Sequence, residues 1–341
     1  MQFIAPKRQY GIRQISVTPR FGRVLALMFI GTSGAVLTLP AAGSAQDLAW
    51  DTTSGDAGVV GGSGSWTNSA QTWTSDGGGS NETWTSGGDA VFGGAAGTVT
   101  VNSTQSVSDI TFNSDGYTVT GGALDLGTGN IDVASGTATI ASAIDGDDLT
   151  KTGGGILVLS GDNDYSGTTT ISNGTLRIEN GGAIANTADG VTVNAGGTFD
   201  IATSVTIDDF AGAGSTVLGT GQTLTVGINS AGFSGTYSGE ISGAGALQSY
   251  GIRTLSGDNT FTGDLTVSGQ SLTLTGSLDT NNIVVSGPAE LVVAGGGDAL
   301  SDTAVINNSG TLSLSGNSET VGSVFGAGDI DLLATTLTTG D

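Results

Sequence analysis

One internal repeat constrains the fold more than any other feature of this chain. The segment LSGDNDYSGTTTISNGTLRI at Leu159–Ile178 recurs as LSGDNTFTGDLTVSGQSLTL at Leu255–Leu274, displaced by 96 residues without a gap, and nine of the 20 positions are identical. Apolar positions correspond: Tyr165 with Phe261, Ile171 with Val267, Leu176 with Leu272, and Ile178 with Leu274. Upstream the registration slips slightly, pairing Ile144 with Ile241 and Leu149 with Leu247. Units that recur and tolerate small insertions between strands are the mark of a solenoid. A second element also recurs, with FAGAG at Phe210–Gly214 and FGAG at Phe325–Gly328.

The segments inside the repeats have a period of two. TVTV at Thr98–Val101, DITF at Asp109–Phe112, VTVN at Val191–Asn194 and TLSLSG at Thr311–Gly316 alternate apolar with polar residues, and Gly, Asn, Asp or Ser closes such runs. That pattern predicts short strands and tight turns. Thr, Val and Ile suit a pleated surface because their branched Cβ is stiff. No sustained 3.6-residue apolar period occurs after residue 45. A sandwich would form one closed core without long self-similarity. A propeller would need a regular blade repeat of about 40–45 residues. The expected fold is therefore all-β, a right-handed parallel β-helix preceded by a signal peptide. With roughly 22 residues per rung, residues 46–341 would make about 13 rungs.

Residues 1–45 read as the secretory signal. Lys7, Arg8, Arg13, Arg20 and Arg23 precede the apolar stretch Val24–Leu39, and Pro40 and the small residues AAGSA follow. Sixteen residues interrupted by glycine are short for a membrane span, which needs about 20, and cleavage is expected after Ala45. No twin arginine occurs, which favours the general secretory route. Beyond the signal we expect a Trp-rich N-terminal cap region at 46–100 and β-helix repeats at 101–341.

Charge and composition exclude several functions. Residues 46–341 carry all 31 acidic side chains and only three basic ones, Lys151, Arg177 and Arg253. Such a surface repels nucleic acid and anionic headgroups. The chain has no Cys and no His. It can build neither a Ser-His-Asp triad nor a zinc site, and no Gly-x-Ser-x-Gly elbow occurs. A β-helix lyase would have to draw its base from those three basic residues. No catalytic or cofactor residue is therefore expected. Calcium is the one cofactor the sequence allows, bound weakly. Asp145, Asp147 and Asp148 share a turn, and Asp162 and Asp164 stand in DNDYSG, which mimics the start of a calcium loop. The twelfth position of that loop is Asn173 rather than a bidentate Glu, and the second copy replaces Asp164 with Thr260. The bland alternative is a turn whose Asp and Asn bond their own backbone.

All four tryptophans, Trp50, Trp66, Trp73 and Trp84, fall within 35 positions. They read either as a sugar-stacking surface or as cover for the open end of a solenoid, and the second reading is preferred.

The strings LTKTGGGILVLSGDNDYSGTTTISNGTLRIENGGAIA at Leu149–Ala185 and ISGAGALQSYGIRTLSGDNTFTGDLTVSG at Ile241–Gly269 resemble the autotransporter-associated β-strand repeat of large bacterial surface proteins. The stretch from Trp50 through GGDAVFGGAAGTVTV at Gly87–Val101 is similar to the opening of such passengers. The second copy departs from the pattern at Gln248–Arg253, where a Lys-Thr-Gly run is usual. The resemblance implies a passenger at the outer membrane of a bacterium with two membranes, displayed or released there, with repeats that assist passage by folding outside. It implies outer-membrane translocation machinery or a separate barrel as partner. Residues 270–341 contain one aromatic residue, Phe325, against the aromatic girdles of a barrel, so the chain is expected not to translocate itself. The function implied is a structural or adhesive surface passenger with host or surface glycans as possible ligands. The alternatives are a carbohydrate-active β-helix enzyme and a calcium-associated matrix component.

Overall fold

Gly153 shows why this chain coils. Its φ is +73°, a left-handed conformation open to glycine at little cost. A Cβ placed there would come within 2.2 Å of the Val133 carbonyl oxygen on the preceding turn. The backbone can thus bend sharply while one turn sits directly on the last. Short β-branched strands between such corners complete the coil.

The structure, a computed structural model, describes residues 46–340 except 57, 128, 183, 185–189, 228–234, 252–253 and 317. The signal segment at 1–45 lies outside the described residues. Among the described residues there is no helix; 34 short strands build a parallel β-solenoid of about 12 turns. That agrees closely with the number expected from the repeat.

Each turn presents three faces, and each face stacks in register on the next. On the first face one unbroken column runs Ile110, Ile131, Lys151, Ile171, Val193, Gly212, Tyr237, Leu255, Leu274, Val293 and Leu314. The second face stacks Val119, Ile140, Leu159, Ile178, Ile201, Leu218 and Gly243. The third stacks Ile207, Val226, Ser249, Val267, Val285 and Asn308. Most members of these columns are apolar and fully buried, and together they form the dry centre of the coil. The alternation read from the sequence therefore points Val, Ile and Leu inward and Thr outward, as the period of two requires.

The two repeat copies do not stand on the same faces. Ile178 belongs to the second-face column, whereas its counterpart Leu274 belongs to the first. Leu149–Thr152 lies on the first face and Ala246–Ser249 on the third. The repeat is phased to faces rather than turns, and its second copy is rotated by one face.

The N-terminal end is built differently. Asp47–Trp50 pairs antiparallel with Gln71–Thr74, which pairs antiparallel with Glu82–Thr83. The other edge of Asp47–Trp50 pairs parallel with Gly88–Phe92, so this small antiparallel sheet joins the coil directly.

Candidate functional site

The repeat unit is organised around one inward-turning asparagine. In LSGDNDYSG the chain alternates strictly: Asn163 and Tyr165 are buried, while Asp162 and Asp164 are exposed. Asn163 Oδ1 accepts the Ile144 N–H at 3.0 Å, and its Nδ2 donates to the Gly161 carbonyl at 3.2 Å. The Tyr165 hydroxyl meets Thr169 Oγ1 at 2.6 Å. DNDYSG thus serves as a bracket between consecutive turns, with its two carboxylates in solvent.

The other calcium candidates have similar geometry. Asp145 ends the strand Ala143–Asp145 and pairs across the ladder with Asp125. Asp147 and Asp148 are exposed at the following corner. Asp148 Oδ1 accepts the Thr168 N–H at 2.7 Å and its hydroxyl at 3.0 Å. Asn173, at the twelfth position of the loop, turns its Oδ1 to the Gly174 N–H at 2.9 Å. Among the described residues no group of three or more His, Cys, Asp or Glu side chains is placed to hold a metal ion.

Lys151 and Arg177, the described basic residues, are both engaged. Lys151 is fully buried in the first-face column between Ile131 and Ile171. Its ammonium donates to the carbonyls of Thr152, Gly153 (3.0 Å) and Asn173 (3.3 Å). Burial pushes its pKa down to about 8, against the pull of Asp132. Arg177 is clamped by Glu179 at 2.8 Å and by Asp200 on the next turn at 2.5 Å. Arg253 lies outside the described residues.

The tryptophans form a nested box. Trp50, Trp66 and Trp73 are fully buried and Trp84 nearly so. Trp50 meets Trp73 edge-to-face at 5.1 Å, and Trp66 meets Trp73 and Trp84 at 4.8 Å each. Trp73 continues to Phe92 at 5.7 Å, which stacks on Phe112 at 5.0 Å. The indoles therefore run into the solenoid core, and no ring face is free to stack on a sugar. Sequence reasoning did not find the buried polar groups beside this box, Asp51 among them, because composition alone does not distinguish an interior Asp from a surface one.

The family described as passenger-associated-transport-repeat matches residues 149–178 and 251–269, the two bracketed copies. The adhesin BmaC autotransporter of Brucella suis biovar 1 (strain 1330) is 35% identical over 257 residues, 73% of this chain. The chain thus carries two passenger-associated transport repeats and is similar to a section of an autotransporter adhesin. It spans 7% of the length of that adhesin, so the likeness concerns one section of a far longer molecule. No solved structure matches. Both passenger repeats include the bracket's flanking strands, and the Leu149–Ile178 copy also contains Lys151.

Proposed function

We propose that this passenger chain is a section of a surface stalk, exported from a bacterium with two membranes, with a structural or adhesive role and no catalysis. The observation that carries this reading is the continuous in-register core. Its buried Lys and clamped Arg leave no described basic side chain free to act as a base. The relative named as an adhesin favours attachment over turnover. Residues 1–45 serve as the export signal, 46–100 cap the coil through the tryptophan box, and 101–341 extend it. Outer-membrane translocation machinery or a separate barrel carries the chain across. Rungs that fold outside then discourage return, because each completed turn offers a parallel edge to the next. Host or surface glycans are the ligand class to test, and any calcium at Asp145, Asp147, Asp148, Asp162 or Asp164 is held loosely at the surface.

The test is to express the chain in its native cells, digest intact cells with a non-penetrating protease, and assay binding of the purified chain to cells, glycan arrays and polysaccharides. Surface cleavage with retention on cells or glycans and no polysaccharide turnover is expected. Measurable turnover, or full protection from the protease, would defeat the proposal.

A further inference from the structure

Asp51 is a carboxylate buried where a chain of this composition offers nothing to neutralise it. Trp50 and Trp73 face each other across the antiparallel pair and turn into the core. The next residues along, Asp51 and Thr72, are cross-strand neighbours, with the Asp51 N–H donating to the Thr72 carbonyl at 2.9 Å. Alternation sends their side chains to the opposite face from the indoles. Asp51 is nevertheless fully buried. The following loop covers it, and the N–H groups of Thr53 and Val60 reach Oδ1 at 3.2 and 3.4 Å.

Three oxygens at this junction are buried without a hydrogen-bond partner: Asp51 Oδ2, Thr72 Oγ1 and Asn81 Oδ1. Asn81 reaches the junction directly, donating Nδ2 to the carbonyls of Asp51 at 2.7 Å and Gln71 at 3.3 Å. Those two carbonyls fix the amide orientation, because only an NH₂ can serve both. Asn81 Oδ1 is therefore an acceptor without a donor, as is Asp51 Oδ2. Two N–H groups serve Asp51 Oδ1, but leaving its Oδ2 and the Asn81 Oδ1 buried without a partner is unfavourable. No Lys, Arg or His occurs anywhere between residues 46 and 150.

We propose that Asp51 Oδ2, Thr72 Oγ1 and Asn81 Oδ1 form a site for a hard, oxygen-seeking divalent cation of the calcium type, distinct from the surface carboxylates at Asp145–Asp164. A carboxylate, an amide oxygen and a hydroxyl are ligands such cations select, with water completing the shell. The ion supplies the missing positive charge and ties three segments of the N-terminal end together: Asp51 just after the strand Asp47–Trp50, the strand bearing Thr72, and Asn81 just before the strand Glu82–Thr83.

The site lies beside tryptophan, so terbium, which replaces calcium at oxygen sites, gives a direct readout. The purified chain, stripped with chelator, is titrated with Tb³⁺ under tryptophan excitation, then with Ca²⁺ as competitor, and its melting temperature is recorded with and without Ca²⁺. The proposal expects one saturable, tryptophan-sensitised site displaced by Ca²⁺, and a rise in melting temperature. Asp51→Asn should weaken binding on the order of ten-fold or more. Thr72→Val, which keeps shape while removing one ligand, should weaken it several-fold even if Asp51→Asn folds poorly. Asp162→Asn with Asp164→Asn should leave emission unchanged. Absence of sensitised emission together with an unchanged melting curve would overturn the proposal and leave the junction to an internal water. Emission that survives both Asp51→Asn and Thr72→Val would overturn it equally, assigning the ion to the acidic surface.

Discussion

Asn163 and Asn259 make the same inter-turn bracket, 96 residues apart and on different faces of the coil. Asn163 accepts from the Ile144 N–H and donates to the Gly161 carbonyl. Asn259 accepts from the Ile241 N–H at 3.2 Å and donates to the Gly257 carbonyl at 2.8 Å and the Ser277 carbonyl at 3.2 Å. Asn259 also bridges to Leu278, which bridges in turn to Leu300, whereas Asn163 lies between the second-face strand Ile156–Leu159 and the next first-face strand. One short sequence therefore locks two turns together wherever it falls around the coil.

Replacing either asparagine with alanine strands a buried N–H and at least one buried carbonyl. Each substitution should cost about 1–3 kcal/mol per stranded group. Urea denaturation measures the loss, and hydrogen exchange should locate it at the Ile144 amide for Asn163→Ala and at Ile241 for Asn259→Ala. Equal acceleration of exchange throughout the chain, with no excess at those amides, would contradict the local bracket.

Alkaline titration should give a stability maximum. The Lys151 ammonium, pushed by burial down to about 8, titrates near 10.4 when the chain unfolds. Between those values the unfolded state binds more protons, so stability rises with pH. Burial pushes the Tyr237 hydroxyl up to about 12, and pushes Tyr165 up as well. Unfolded tyrosines lose protons near pH 10 while the folded ones keep theirs, so stability falls above that point. The unfolding free energy measured in urea should therefore climb from pH 8 to about 10, by up to about 2–3 kcal/mol, and then decline. Lys151→Met should abolish the climb and leave the decline.

Gly153→Ala tests the corner rule. The new methyl would meet the Val133 carbonyl oxygen at 2.2 Å while adopting a left-handed φ. Overpacking and backbone strain together should cost about 2–4 kcal/mol. Gly181→Ala also has positive φ but meets nothing within 4 Å, so it isolates the smaller conformational cost. Thermal melts of the two variants should differ accordingly.

Trp73 touches Trp50, Trp66, Trp84 and Phe92. Trp73→Ala should lower stability by about 3–5 kcal/mol and reduce the near-ultraviolet signal of coupled indoles to that of the remaining Trp66–Trp84 pair. Glycan binding, if the chain has it, should persist at temperatures where the variant remains folded. Selective loss of glycan binding at unchanged stability would assign the ring a ligand instead.

Much of this was legible in the sequence, and what was missed has physical reasons. Alternation at Thr98–Val101 or Thr311–Leu314 predicts strands with an inward apolar set, and the structure has them. The LSGDN repeat predicts stacked turns. It does not reveal the rotation by one face, because identity between Leu159–Ile178 and Leu255–Leu274 records which side chains recur, not how many faces separate them. In the sequence Lys151 is only one of three basic residues a lyase could draw on, and nothing there signals its burial, since lysine is almost never fully buried unless its charge is satisfied. Three backbone carbonyls satisfy it here, and they converge only when Thr152, Gly153 and Asn173 are folded together. The acceptors around Asp51 escaped notice for the same reason, since 30 residues separate Asp51 from Asn81.

The stacked register also dictates how the molecule bears load. Ile131 sits on Ile110 and under Lys151, so each turn is fastened chiefly to its two neighbours. Pulling on one terminus would peel hydrogen bonds one row at a time rather than shear a whole sheet. Each released turn of about 20 residues would lengthen the tether by roughly 65–70 Å. Such a stalk would yield in small, repeatable steps under flow, with the rest of the rod still standing.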